Sequence, residues 1–214
     1  MDVDDVSNLW LAEELHRQGG VQFGDFTLGR STRHSPIYID VKVLLRVPQV
    51  LRRAAELIVQ ETQAQLGRRR GRFEPFDLVA GVPFGGLHLA TAFAIQSNTP
   101  MIYAIPRHSE SRERVLEGQY SPGQQVLIID DLMTTGGSLL ETQHVLAEAG
   151  LRVRDAIVLV DRDQGGADRL RRHGMHLVSI LRMPVMITYY MSKGYISEDQ
   201  YQRSMEYVRT HQAQ

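Results

Sequence analysis

Val126-Leu127-Ile128-Ile129-Asp130-Asp131-Leu132-Met133-Thr134-Thr135-Gly136-Gly137-Ser138 is the stretch from which the rest of the chain can be worked out. Four apolar residues with turn chemistry after them predict a strand buried on both faces, and Leu139 to Gly150 predicts a helix that closes at Gly150. The joint between strand and helix has the chemistry of a phosphate site. Gly136 and Gly137 let backbone N–H groups turn inward, Thr134, Thr135 and Ser138 offer hydroxyl donors, and the helix start adds the positive end of its dipole.

The two carboxylates before the turn narrow the ligand. Asp130 and Asp131 would repel a phosphate laid directly on them, so they should face neighbouring hydroxyls or a hydrated Mg²⁺. A ribose 5-phosphate lodged in 134–138 would hold its 2- and 3-hydroxyls near the carboxylates, and a pyrophosphate on C1 would bring the Mg²⁺. The chain has no Gly-x-x-x-x-Gly-Lys-Ser/Thr and no Gly-x-Gly-x-x-Gly after a strand, so neither a P-loop nor a dinucleotide fingerprint is present.

Composition sets the outer bounds. With 214 residues, 43% hydrophobic and 23% charged, the chain suits one large globular domain with a substantial core. A net charge of −1 argues against a general nucleic-acid binder. Zero cysteines exclude disulfides, thiolate zinc sites and a cysteine nucleophile. The start, Met1-Asp2-Val3-Asp4-Asp5, is acidic where a secretion signal would be basic, and no apolar run approaches the ~20 residues of a membrane span. The expectation is a cytoplasmic protein with no membrane partner.

Strands and helices alternate on either side of the central stretch. Val6 to Gln18 predicts a helix that stops at Gly19-Gly20, and residues 21–40 predict a hairpin or small sheet. Pro48 to Leu66 predicts an amphipathic helix, followed by a basic connector at 67–72. Asp77 to Val82 predicts a buried strand, Pro83-Phe84-Gly85-Gly86 a turn, and Leu87 to Gln96 a helix. Pro100 to Ile105 is the next strand, and 106–114 a polar loop over the site. Arg152 to Asp161 and Met175 to Ile180 are further strands, and Pro184 to Lys193 and Ser197 to Gln212 two closing helices, the second with a capping box. The pattern implies an α/β fold, a doubly wound and mainly parallel sheet flanked by helices, with a small N-terminal hood. The divisions are 1–47 for the first helix and hood, 48–183 for the core, and 184–214 for the C-terminal helices. Turns 83–86, 130–138 and 161–166 all follow strands and therefore share one edge of the sheet.

Residues 126–138 resemble the phosphoribosyl pyrophosphate (PRPP) signature of type I phosphoribosyltransferases: an apolar run, Asp-Asp, two spacers, then Thr-Thr-Gly. Phe23-Gly24-Asp25-Phe26-Thr27-Leu28 with Ser35-Pro36-Ile37-Tyr38, and Asp161-Arg162-Asp163-Gln164-Gly165-Gly166, resemble the orotate phosphoribosyltransferases within that family. The resemblance implies transfer of phosphoribose from PRPP to orotate, in pyrimidine biosynthesis, by a Mg²⁺-dependent homodimer. It implies PRPP contacts from Phe84, Gly85 and Asp130 to Ser138, with orotate contacts from Arg30, Tyr38, Thr134 and Arg162. It assigns catalysis to Arg107, His108 and Asp131, and Mg²⁺ to PRPP and water near Asp130 and Asp131 with no direct protein ligand. Two departures stand out. Gly29-Arg30 replaces the single lysine of the family's hood, and Ile105-Pro106 fall where its lid has Arg-Lys, with no lysine anywhere in 106–114. These departures leave two alternatives open, a phosphoribosyltransferase for another base and a PRPP-binding protein that senses without catalysing.

Overall fold

The structure, a computed structural model, describes residues 8–28, 32–68, 73–105 and 116–212, and leaves undescribed the side chains of Leu28, Thr32 and Arg33. Its helices and strands, numbered in chain order, begin with α1 (Leu9–Arg17), β1 (Val21–Leu28) and β2 (Thr32–Ile39), then a 3-10 turn (Val41–Arg46). Next come α2 (Pro48–Gly67), β3 (Leu78–Gly81), α3 (Gly85–Ser97), β4 (Met101–Ala104) and β5 (Leu116–Glu117). The chain finishes through β6 (Gln125–Met133), α4 (Gly137–Glu148), β7 (Arg152–Asp161), α5 (Gly166–Arg172), β8 (His176–Arg182), α6 (Met183–Ser192) and α7 (Glu198–His211).

Six strands form one sheet in the order β5-β4-β3-β6-β7-β8, and only the β4–β5 pairing is antiparallel. β6 lies in the middle. Val126 to Asp130 are all buried, as continuous apolar character on a central parallel strand requires. Two apolar layers cover the sheet. On one face Leu127, Ile129 and Ile157 join Leu11, Ile37, Leu44, Ile58, Phe93 and Ile187, contributed by α1, the hood, the 3-10 turn, α2, α3 and α6. On the other, Val126, Ile128 and Val158 meet Leu139 and Leu146 of α4 and Leu170 of α5.

The hood is the antiparallel pair β1–β2, with Phe23 opposite Ile37 and Val21 opposite Ile39. It is held to the body from below. Ile37 and Ile39 are buried in the first apolar layer, and the Phe23 ring meets that of Tyr190 of α6 edge-on, 6.4 Å between centroids. At the far end of the chain, α7 starts with a complete capping box: the Gln200 amide donates to Ser197 Oγ, and the Ser197 amide to Gln200 Oε1.

The structure corrects two boundaries near the site and adds a helix. β6 does not end at Ile129; its ladder with β7 runs on through Asp130, paired with Val158, to Met133, paired with Asp161. The turn proper is therefore only 134–136. Gly85 and Gly86 are the first residues of α3 and not part of the turn before it. Residues 166–172 form a helix that the sequence pattern did not suggest, because Leu170 is its one buried side chain besides the glycine at its start.

Candidate active site

The carboxyl ends of β3, β6 and β7 lie side by side in the parallel sheet, and the turns that leave them bring 82–86, 130–138 and 161–166 to one edge. At the central turn Gly136 takes φ +75°, and α4 begins at Gly137 with no side-chain cap and no acidic residue in its first turn. Its N-terminal N–H groups are thus available to an anion, and the helix dipole favours one. Thr134 and Thr135 are half-buried and Ser138 is exposed. Arg169 Nη1 donates to the Thr135 carbonyl at 3.3 Å, which ties the turn to α5.

The paired acids divide into two environments. Asp130 is 5% exposed, and its Oδ1 accepts the Asp131 N–H at 2.8 Å. Burial, reinforced by the neighbouring charge of Asp131, holds its carboxyl well above the usual range, so Asp130 resists ionisation. Asp131 is half-buried and opens into a small cavity lined also by Val41, Lys42, Leu44, Gly85 and His88. It is the acid that a ligand can reach.

Glycine permits this geometry. A Cβ on Gly85 would fall 2.2 to 2.3 Å from the Asp131 carboxylate, and one on Gly86 would fall 2.5 Å from the Ile129 carbonyl oxygen. Residues 85 and 86 are bare because the start of α3 is pressed against the end of β6.

The other predicted residues are distributed as follows. Met133 is 2% exposed and packs in the second apolar layer, and Leu132 packs against the first, so both are spacers whose side chains serve the core. The strand that continues through them turns both side chains inward, so a PRPP contact at 132–133 would be made by the backbone. Phe84 is 70% exposed at the turn, after a cis peptide with Pro83. Tyr38 is half-buried on the hood, its ring 5.6 Å from that of Phe26. Arg30, Arg107 and His108 lie outside the described residues.

Arg162 is 3% exposed at the end of β7. Its Nη2 donates to Ser35 Oγ at 2.8 Å and to the Ile37 carbonyl at 3.2 Å, while Ser35 Oγ itself donates to that carbonyl at 2.7 Å. The base-reading residue predicted from the sequence is thus also the link between core and hood. Burial pulls its guanidinium below the ordinary value. Beside it Asp161, 3% exposed, is pushed up to about 6 by burial, against the hydrogen bond that Asp163 N–H gives it.

Among the described residues, no group of three or more His, Asp or Glu side chains is placed to hold a metal, and no helix is long and apolar enough to cross a membrane.

The chain is similar to known proteins over most of its length. Residues 40–173 match the family model described as the phosphoribosyl transferase domain. Orotate phosphoribosyltransferase of Chlamydia caviae is 34% identical over 187 residues, 86% of each chain. The chain belongs to the orotate phosphoribosyltransferase family. The crystal structure of orotate phosphoribosyltransferase from Aeropyrum pernix superposes with TM-score 0.73 at 32% identity, over 87% of this chain and 99% of that one. UMP synthase of Leishmania donovani aligns with TM-score 0.83 at 30% identity, covering 95% of this chain but only 42% of that longer protein.

Within this orotate phosphoribosyltransferase frame, sequence reasoning overlooked Lys42 and its partner Asp40. Asp40 Oδ1 accepts both the Lys42 backbone N–H and the Lys42 Nζ, each at 3.0 Å. A signal for it existed: Lys42 is one of only two lysines, with Lys193, in a chain of 24 Lys and Arg.

Proposed function

We propose that the site binds PRPP and transfers its phosphoribosyl group to orotate, releasing pyrophosphate. The observation that carries this reading is the uncapped, glycine-opened start of α4 standing directly after Asp131, with Arg162 at the end of the adjacent strand. A monophosphate fits the first, ribose hydroxyls the second, and a carboxylated base the third, in which a guanidinium fork matches a carboxylate.

The reaction asks little covalent chemistry of the protein. C1 of the ribose becomes cation-like as pyrophosphate leaves, so the protein must align both reactants, balance charge and exclude water. Residues 134–138 hold the 5-phosphate, with Thr134 also turned toward the base; Asp131 orients the ribose hydroxyls; Phe84 and Gly85 border the pyrophosphate; Arg162 and Tyr38 place the base. Asp131 supplies the hard oxygen that suits Mg²⁺, and it would hold the ion through water and PRPP. The ion, when bound, neutralises charge building on the leaving pyrophosphate. Arg107 and His108, with Arg30 at the hood, complete the reading as cations for the leaving group and base. A cytoplasmic homodimer belongs to the same reading, as does the division into hood (1–47), core (48–183) and closing helices (184–214).

The test is to incubate the protein with PRPP and Mg²⁺ and follow pyrophosphate release with orotate or with purine bases. Release that depends on orotate supports the reading; release only with another base moves it to a different acceptor. One observation favours a second reading: 106–114 contain no lysine, and Ile105-Pro106 replace a basic pair of the family's lid. Tight PRPP binding without turnover on any base would make the protein a PRPP sensor.

A further inference from the structure

We propose that Lys42 is a positioning residue for PRPP: paired with Asp40 and lining the same small cavity as Asp131, it offsets the carboxylate charge that an anionic sugar must approach. The proposal rests on the reading of 130–138 as the PRPP turn, and adds to it a residue that the family resemblance does not assign.

PRPP is strongly anionic, and Asp131, the acid open to a ligand at the end of β6, opposes its approach to the same turn that grips its phosphate. Something must balance it. Lys42 sits at the junction of hood and core, at the start of the 3-10 turn that Asp40 caps. Asp40 fixes it twice, through the backbone N–H and through Nζ, so the stem leaves the backbone in a set direction. The same cavity receives Lys42, Asp131, Gly85 and His88. Although burial works against its charge, the hydrogen bond and charge of Asp40, with the added charge of Asp131, win and raise its ammonium above the ordinary value. Lys42 therefore remains a cation beside Asp131.

The side chain also keeps 52% of its surface open, which a purely structural ion pair gains nothing from and a ligand-facing charge requires. In a chain that uses arginine at 22 of its 24 basic positions, a lysine at this junction is a departure from its own habit. It also stands in a site whose hood and lid lack the lysines of the family pattern.

Calorimetric titration of PRPP with Mg²⁺ tests the proposal on wild type, Lys42→Met, Lys42→Arg and Asp40→Asn. Lys42→Met should weaken PRPP roughly tenfold or more, with Tm and the KM for orotate nearly unchanged, and Lys42→Arg should recover most of the loss because it restores the charge. Affinity of Lys42→Met within about twofold of wild type overturns the proposal, as does a Lys42→Arg variant no tighter than Lys42→Met. Should Lys42→Met fail to fold, Asp40→Asn decides: asparagine keeps the cap on the 3-10 turn but frees the ammonium, and unchanged PRPP affinity there refutes the role. A wild-type protein that does not bind PRPP brings down the reading of the turn itself, and Lys42 with it; a wild type that binds while the variants match it brings down Lys42 alone.

Discussion

Replacing Asp161 by Asn should change how stability depends on pH, in a direction set by the burial of one carboxyl. Asp161 is 3% exposed at the end of β7, and its carboxyl is pushed from 3.8 up to about 6. The folded protein therefore takes up a proton on this group as pH falls through about 6, whereas the unfolded chain waits until near 3.8. Above the folded value the ionised carboxyl costs stability, and lowering the pH from 6 toward 4 relieves that cost. At ~1.4 kcal/mol per pKa unit the full cost is roughly 3 kcal/mol near pH 7.5, and about 2 kcal/mol of it disappears by about pH 4.5. Asparagine has the shape of the neutral acid and its oxygen still accepts the Asp163 N–H, but its amide adds a buried donor worth ~1–3 kcal/mol if unpaired. That penalty is independent of pH. Urea unfolding of both proteins at the two pH values, subtracted pairwise, cancels every other titrating group, and the variant should gain roughly 2 kcal/mol relative to wild type on going from the lower to the higher pH. Parallel curves for the two proteins would refute the argument that burial controls this carboxyl.

Three further outcomes follow from contacts at the site and at the chain's end. Arg162→Ala should raise the orotate KM far more than the PRPP KM and also lower Tm, since Nη2 donates to Ser35 Oγ and the Ile37 carbonyl and a buried hydrogen bond from a charged donor is worth ~1.5–3 kcal/mol; equal effects on both substrates would remove its role as base reader. Gly85→Ala should weaken PRPP by about tenfold or more in calorimetry, because the new Cβ would lie 2.2 to 2.3 Å from the Asp131 carboxylate and must displace it. Ser197→Ala should lower stability by about 1 kcal/mol in urea unfolding through loss of the capping box, with pyrophosphate release unchanged.

The sheet and the position of the site were legible because their causes are local. A central parallel strand must be apolar on both faces, so Val126 to Ile129 announce β6, and Arg152 to Asp161 announce β7 with both ends in place. Turn chemistry at 83–84 and 134–136 is likewise local. What the pattern missed depends on pairing across the sheet: Asp130 to Met133 have poor strand composition, yet the ladder to Val158 through Asp161 keeps them extended. The same strand hides the Met133 side chain in the core, which a motif counted along the chain does not reveal. α5 went unseen because a surface helix with Leu170 as its only large buried side chain has no period to detect. Lys42 could not be linked to Asp131 from sequence, since 89 positions separate them and only the hood's docking on α3 and β6 brings them together.

Position within the fold also explains why two adjacent, identical acids cannot share one role. Alternation along β6 sends neighbouring side chains in opposite directions, and the glycine at 85 leaves room for Asp131 to reach a cavity open to solvent. Asp130 is left beneath Gly86, where its Oδ1 receives the Asp131 N–H and burial raises its carboxyl. Burial disfavours charge on Asp130 and leaves Asp131 as the acid nearer the ligand, while the Asp130 acceptor fixes the backbone from which Asp131 projects. Asp130→Asn should then retain more PRPP affinity than Asp131→Asn, because only the second change removes a charge that faces the ligand. Calorimetry on the two variants decides the point: losses of equal size would mean that both carboxylates meet the ribose, and that the division seen between them plays no part in binding.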